Sequence, residues 1–128
     1  MPHPIMFDDD DPILARVREI ALALPDTTEA IAHGRPTFRC GKMFGNYGGS
    51  VRGSKERYDQ SVLFITDPAE REALLADDRF FLPAYLGAYG WLGIVLDDDT
   101  DWTEVAELLD ASYRQIAPKR SLAKLEAS

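Results

Sequence analysis

The side chains able to do covalent chemistry are few and scattered. A lone thiol, Cys40, and a histidine, His33, invite a nucleophile-and-base reading. Such a pair needs hydrogen-bond reach and an oxyanion hole, and no nucleophile-elbow pattern accompanies it. Cys40 falls at an alternating strand position, where a buried, inert thiol is expected. The run Asp97-Asp98-Asp99-Thr100-Asp101 invites a calcium reading. An EF-hand loop needs glycine at its sixth position and glutamate at its twelfth. Counted from Asp99 those positions hold Glu104 and Asp110, and counted from Asp97 the twelfth is Leu108. The run is therefore expected to be a strand-to-helix turn ending in a cap. Gly45, Gly48, Gly49 and Gly53 resemble a phosphate loop only superficially. In GSVRGSK, residues 49–55, Ser54 separates the glycine from the lysine, and no parallel βαβ context surrounds it. No catalytic set, metal site or cofactor is expected.

Two features remain that could bind a partner. The formal net charge is −8, yet the span from Arg35 to Tyr58 holds six bases and the single acid Glu56. Arg35, Arg39, Lys42, Arg52, Lys55 and Arg57 thus form a +5 island on a remainder of −13. An acidic whole argues against loose, charge-driven nucleic-acid binding but permits a local anion site. The second feature is aromatic. Tyr85, Tyr89 and Trp91 cluster around glycines, with Phe80 and Phe81 just upstream. Aromatics beside a basic loop can stack on a base or another planar ligand. The alternative places Trp91 and Phe81 in the core and the tyrosines at its rim.

The elements that must position these residues follow from pattern. A chain of 128 residues is one domain with a real core, and no stretch approaches the length of a membrane span. An acidic N-terminus unlike a signal peptide and a single cysteine point to the cytoplasm. Residues 1–11 read as a flexible acidic leader, 12–118 as the domain, and 119–128 as a polar tail. Asp11 and Pro12 supply a cap and first residue for a helix over 12–24 with Ile13, Leu14, Val17, Ile20, Ala21 and Leu24 on its apolar face. Pro25 ends it, and 26–34 reads as a connector. Residues 37–40 and 43–47 read as strands joined by a two-residue Gly41-Lys42 turn, with 48–59 a loop or long hairpin tip. SVLFIT, 61–66, is a central buried strand. Asp67-Pro68-Ala69-Glu70 starts a second helix with Ala69, Ala73 and Leu74 inward. Strands at 79–83 and 91–96 and a helix from Asp101 to Pro118 complete an α-β-β-β-α-β-β-α order. The expected fold class is α+β: a largely antiparallel five-stranded sheet with helices on one face.

The stretch LALPDTTEAIAHGRPTFRCGKMFGNYGG, with Phe81-Leu82-Pro83-Ala84-Tyr85, Trp91-Leu92 and Ala117-Pro118-Lys119-Arg120 downstream, resembles the MmcQ/YjbR family of small bacterial proteins. The likeness spans roughly residues 16–120, and its motifs are short and mainly structural. It implies a CyaY-like two-layer sandwich and DNA binding through a double-wing surface. Many relatives carry a basic segment before the matching tryptophan, where this chain has Gly87-Ala88-Tyr89-Gly90. The wing reading then rests on Arg35, Arg39, Lys42, Arg52, Lys55 and Arg57.

The leading expectation is a non-enzymatic binding domain whose basic hairpin side meets DNA or another anionic ligand. Phosphate contacts there would position rather than read sequence. One alternative is a small-molecule or peptide site at Tyr85, Tyr89 and Trp91. Another is a homodimer formed through an exposed sheet face.

Overall fold

The computed structural model describes residues 4–127. Its elements, in chain order, are α1 (Pro12–Leu22), β1 (Thr28–Ala32), β2 (Arg35–Cys40), β3 (Lys42–Ser50) and β4 (Arg57–Ile65). Then come α2 (Pro68–Leu75), β5 (Phe80–Phe81), a 3-10 helix (Leu86–Tyr89), β6 (Trp91–Val95), α3 (Trp102–Ile116) and α4 (Lys119–Ala127). The six strands form one sheet in the order β1-β2-β3-β4-β6-β5, and every pairing is antiparallel. The α+β class and one-sided helical layer hold, with six strands in place of five.

The extra strand is β1, in the stretch expected as a connector. TEAIA has no run of β-formers, and it sits at the sheet edge with most residues exposed, so its own pattern is weak. What makes it a strand is the turn that follows. His33 and Gly34 both take positive φ, 53° and 79°, the requirement of a two-residue type I′ hairpin. That turn zips Ala32 onto Arg35 and carries the ladder back to Thr28 opposite Arg39.

Strand irregularities then shape the sheet. Phe38 pairs with Gly45 but Arg39 pairs with Met43, which leaves Phe44 as an extra residue in β3. This bulge makes Lys42 already a strand residue, with Gly41 alone at the turn at φ 77°, tighter than the expected Gly41-Lys42 pair. A second irregularity sits at Gly48, φ 84°, where the register jumps from Tyr47–Val62 to Gly49–Tyr58. The hairpin beyond it is strand out to Ser50 and from Arg57, much of what was expected as loop.

One face of the sheet carries the main core. Phe38, Phe44, Tyr47, Val62, Phe64, Leu92 and Ile94 pack with Leu14 and Val17 of α1 and Val105, Leu109 and Tyr113 of α3. Each large apolar side chain so buried contributes roughly 1.5–3 kcal/mol. The α1 face is the one read from the sequence. In α2 only Leu74 and Leu75 reach this core, while Ala69 and Ala73 are exposed.

Both chain ends depart from a leader and a tail. Residues 1–3 of the leader lie outside the described residues. Beyond them the Met6 N–H donates to the Gly34 carbonyl at 3.0 Å, and Phe7 packs on the main core. Arg18 of α1 ion-pairs with Asp9 at 2.8 Å and Glu29 of β1 at 2.9 Å. Asp11 caps α1 by accepting from the Ile13 N–H and also receives the Tyr47 hydroxyl at 2.5 Å. At the other end α4 lays Leu122 and Leu125 on the core. Its Ser121 and Lys124 clamp the Asp26 carboxylate at 2.7 and 2.9 Å. A nine-residue amphipathic helix among polar residues is hard to separate from a solvated tail until its apolar partner exists.

Candidate functional site

The opposite sheet face has a smaller cluster: Leu63, Phe81 and Trp91, flanked by Met43, Val51, Tyr58, Ile65, Leu86 and Val95. It is covered in an unusual way. Val51, at the end of β3, forms a bridge with Pro83, just past β5. In the sheet those two strands are separated by β4 and β6, three strand spacings or roughly 14 Å if flat. The far half of the β3–β4 hairpin therefore curls over this face, and the Tyr58 ring meets Phe81 at 5.1 Å between centroids. Glycines make the curl fit. A Cβ at Gly93 would collide with the Phe81 ring and stand 2.7 Å from Leu63, and one at Gly49 would stand 3.0 Å from Leu63.

This curl brings together two stretches that look independent in the sequence. The Arg52 N–H donates to the Leu82 carbonyl at 2.9 Å, and the Ala84 N–H donates to the Ser50 carbonyl at 2.8 Å. The exposed hairpin tip, with Arg52 and Lys55, is thereby stitched to the tyrosine turn. Within the tip, the Val51 N–H bonds the Glu56 carbonyl at 2.9 Å and the Ser54 hydroxyl accepts from the Glu56 N–H at 3.1 Å. Glu56 also accepts the Tyr58 hydroxyl at 3.0 Å, which raises the pKa of that phenol.

The tyrosine turn is strained and open. Tyr85 has φ 62° and ψ −67°, and the Leu86 N–H reaches back to the Ala84 carbonyl at 2.7 Å. That is a γ-turn of the rare positive-φ kind, on a residue with a Cβ. The Tyr85 side chain has no packing to compensate: the residue is 89% exposed, and Tyr89 is 78% exposed. Beneath them Leu86 and Trp91 pack on Leu63 and Phe81, and Arg71 of α2 donates to the Gly87 carbonyl at 3.3 Å. Trp91, expected as a candidate ligand contact, is only 6% exposed and belongs to the second cluster. Leu86 packs onto that cluster from the turn.

The six basic candidates do not form one patch. Arg35 is buried at 6% exposure and donates through Nη2 to Asp59 at 2.9 Å. Its guanidinium lies so close on Gly48 that a Cβ there would collide with it, and its Nη1 has no hydrogen-bond partner. Arg57 shares the same Asp59 oxygen at 3.3 Å. Arg35 and Arg57 thus hold the bent hairpin through a common carboxylate. Arg39 is half-buried on the face of β2 opposite Phe38 and Cys40, donating to the Thr37 hydroxyl at 3.1 Å. Lys42 starts β3, on the order of 30 Å along the strand from the tip. Among the described residues Arg39, Lys42, Arg52 and Lys55 make no ion pair.

Other candidates separate. His33 and Cys40 stand at opposite ends of β2, ~20 Å apart along it. Cys40 is buried, with Sγ donating to the Pro25 carbonyl at 3.6 Å. The 97–101 run forms the turn into α3, where Asp101 accepts from the Thr103 N–H at 3.0 Å and Thr100 from the Asp97 N–H at 2.7 Å. Among the described residues no group of three or more His, Cys, Asp or Glu is placed to hold a metal ion. No described helix is long and apolar enough to cross a membrane. A cavity of about 520 Å³ lies between the N-terminal segment and β3–β4, lined among others by Phe7, Asp11, Tyr47, Asp59 and Gln60. Its polar groups are already engaged. Gln60 and Tyr47 both donate to Asp11, and burial with that carboxylate drives the Tyr47 phenol far above its usual pKa.

Comparison with known proteins places this fold. No curated protein matches the chain. Among solved structures it is similar to the Deinococcus radiodurans protein DR2400, a DUF419-domain protein, with a TM-score of 0.61 over 88% of this chain and 87% of that one. At 18% identity that likeness speaks to the fold. The YjbR family model matches residues 22–115, from the end of α1 to the last turn of α3. That match takes in all six strands, both bulges and the curled hairpin with its tyrosine turn, and the chain belongs to the YjbR family.

Proposed function

We propose that this chain is a non-enzymatic DNA-binding domain whose contact surface is the hairpin tip joined to the tyrosine turn. The observation that carries the reading is the pair of backbone hydrogen bonds, Arg52 to Leu82 and Ala84 to Ser50. They join the loop that carries Arg52 and Lys55, cations without an ion pair among the described residues, to the turn that carries the exposed Tyr85 and Tyr89. Cations neutralise phosphates, and aromatic rings offer bases an apolar plane. Arg39 lies on the same sheet face, and Lys42 could engage a longer strand at its far end. Arg35 and Arg57, held by Asp59, act as supports of the hairpin.

The acidic remainder of the molecule sets the regime. Repulsion between the body and a polyanion limits contact to the tip, so binding is expected to be weak and strongly salt-dependent. A fluorescence titration with labelled DNA at two or more salt concentrations tests this. Binding that weakens with salt is expected, and Arg52→Ala and Lys55→Ala should each reduce the log–log salt slope by about one. No binding at low salt, or unchanged affinity in the Arg52→Glu/Lys55→Glu double variant, overturns the reading.

A further inference from the structure

We propose, resting on that DNA-binding reading, that the tyrosine turn is a stacking platform and that the preferred partner is single-stranded rather than duplex DNA. The argument starts from the backbone at Tyr85. A γ-turn with φ 62° on a non-glycine residue is unfavourable and persists only where its surroundings enforce it. Here they do. Ala84 on one side is tied to Ser50, and Gly87 on the other donates to the Pro83 carbonyl at 3.0 Å while its own carbonyl takes Arg71. Glycine would satisfy this geometry without strain. The chain instead holds a tyrosine there whose side chain gains nothing from the fold, being 89% exposed.

The second ring repeats the pattern. Tyr89 ends the 3-10 helix at 78% exposure, just before Gly90 turns the chain at φ 90° into β6. Between the two tyrosines Leu86 points down into the second cluster, so the turn is anchored from below and presents its aromatics outward. Bases in a duplex are already stacked on one another and offer no free face. Unpaired bases do, and each stacks on an aromatic side chain with little regard to identity. Arg52 and Lys55, stitched alongside, meet the backbone of the same strand. Duplex binding through a basic wing needs cations in quantity, and two of the six candidates are already held by Asp59.

The test compares a labelled oligothymidine with a duplex of equal length at one low salt concentration, for the parent chain and three variants. The parent should bind the single strand at least about tenfold more tightly. Tyr85→Ala/Tyr89→Ala should lose about tenfold or more on the single strand and keep the parent's salt slope. Tyr85→Phe/Tyr89→Phe should bind like the parent, since stacking needs the ring and not the hydroxyl. Tyr85→Gly should melt no lower than the parent yet bind weakly, which separates presentation of the ring from stability of the turn. Equal or tighter duplex binding, or an alanine variant that binds the single strand as the parent does, overturns this inference while leaving the DNA-binding reading standing. Failure of the parent to bind either form overturns both.

Discussion

Ser112 of α3 donates its hydroxyl to the carbonyl of Phe44 at 2.6 Å while accepting the Ile65 N–H at 2.8 Å. The β3–β4 ladder begins at Gly45–Phe64, so Phe44, the bulged residue of the β2–β3 pairing, and Ile65 do not pair with each other. A helix side chain inserts into the gap and satisfies both orphaned backbone groups in a fully buried setting. The bulge also turns the Phe44 ring inward beside Gly45 and against Tyr113, edge-on at 5.4 Å. Helix, bulge and core are therefore one device.

Ser112→Ala leaves two buried backbone groups unpaired, and the expected loss is on the order of 3 kcal/mol. Urea denaturation measures it. DNA affinity should not change, because the tip lies on the other face. A cost below about 0.5 kcal/mol would show that the bulge does not depend on this hydroxyl.

Gly93→Ala should strain the second face. The added methyl would run into Phe81 and Leu63, and overpacking of this kind costs about 1–3 kcal/mol. The relief is expected to come from loosening of the curl. Amide exchange of Arg52 and Ala84 should then accelerate more than that of Val62 or Leu92. Uniform acceleration would mean that the curl and the sheet open together.

Tyr85→Gly tests the strain directly. A positive-φ γ-turn costs ~1–3 kcal/mol for a side-chain-bearing residue, and the extra freedom of glycine in the unfolded chain returns about 0.5–1 kcal/mol. The variant should be up to roughly 2 kcal/mol more stable than the parent by thermal or chemical unfolding. A clear loss of stability would mean that the ring is packed in solution.

Acid should act through two clamps. Hydrogen bonds from Arg79 hold the Asp77 carboxyl down at about 2, and Lys124 followed by Ser121 lowers that of Asp26. Carboxyls depressed in the folded state stabilise it above their unfolded pKa, near 4, and the stabilisation disappears as pH falls through the folded value. Stability should therefore fall between about pH 4 and pH 2. Asp26→Asn removes the α4 clamp at every pH, so its stability curve should fall less steeply over that range. An unchanged slope would show that α4 docks through Leu122 and Leu125 alone.

Much of this protein is written locally. Asp11-Pro12, Asp67-Pro68 and Asp101 start their helices where capping chemistry says they should. The stripe from Trp102 to Ile116 identifies the buried side of α3, and the SVLFIT run marks β4. These signals need only neighbours within a turn or a strand. They failed at β1 and α4, whose side chains declare little until a ladder or a core face exists to receive them.

Of the candidate site, residue types were legible and arrangement was not. Arg52, Lys55, Tyr85 and Tyr89 stand out as exposed charge and aromatic in loops. By the same measure Arg35 looks like Arg52, although one lies buried on Gly48 and the other is in solvent. Trp91 looks like Tyr89, although alternation along β6 points its ring into the second cluster. The meeting of the hairpin tip with the tyrosine turn has no local signature, because it joins residues some thirty positions apart across two intervening strands. Sequence alone determined where most helices start, which faces are apolar and which loops carry charge and aromatic rings. Tertiary structure decided which of them share a surface, because bulges at Phe44 and Gly48 and the space over Gly49 and Gly93 set how far the sheet curls.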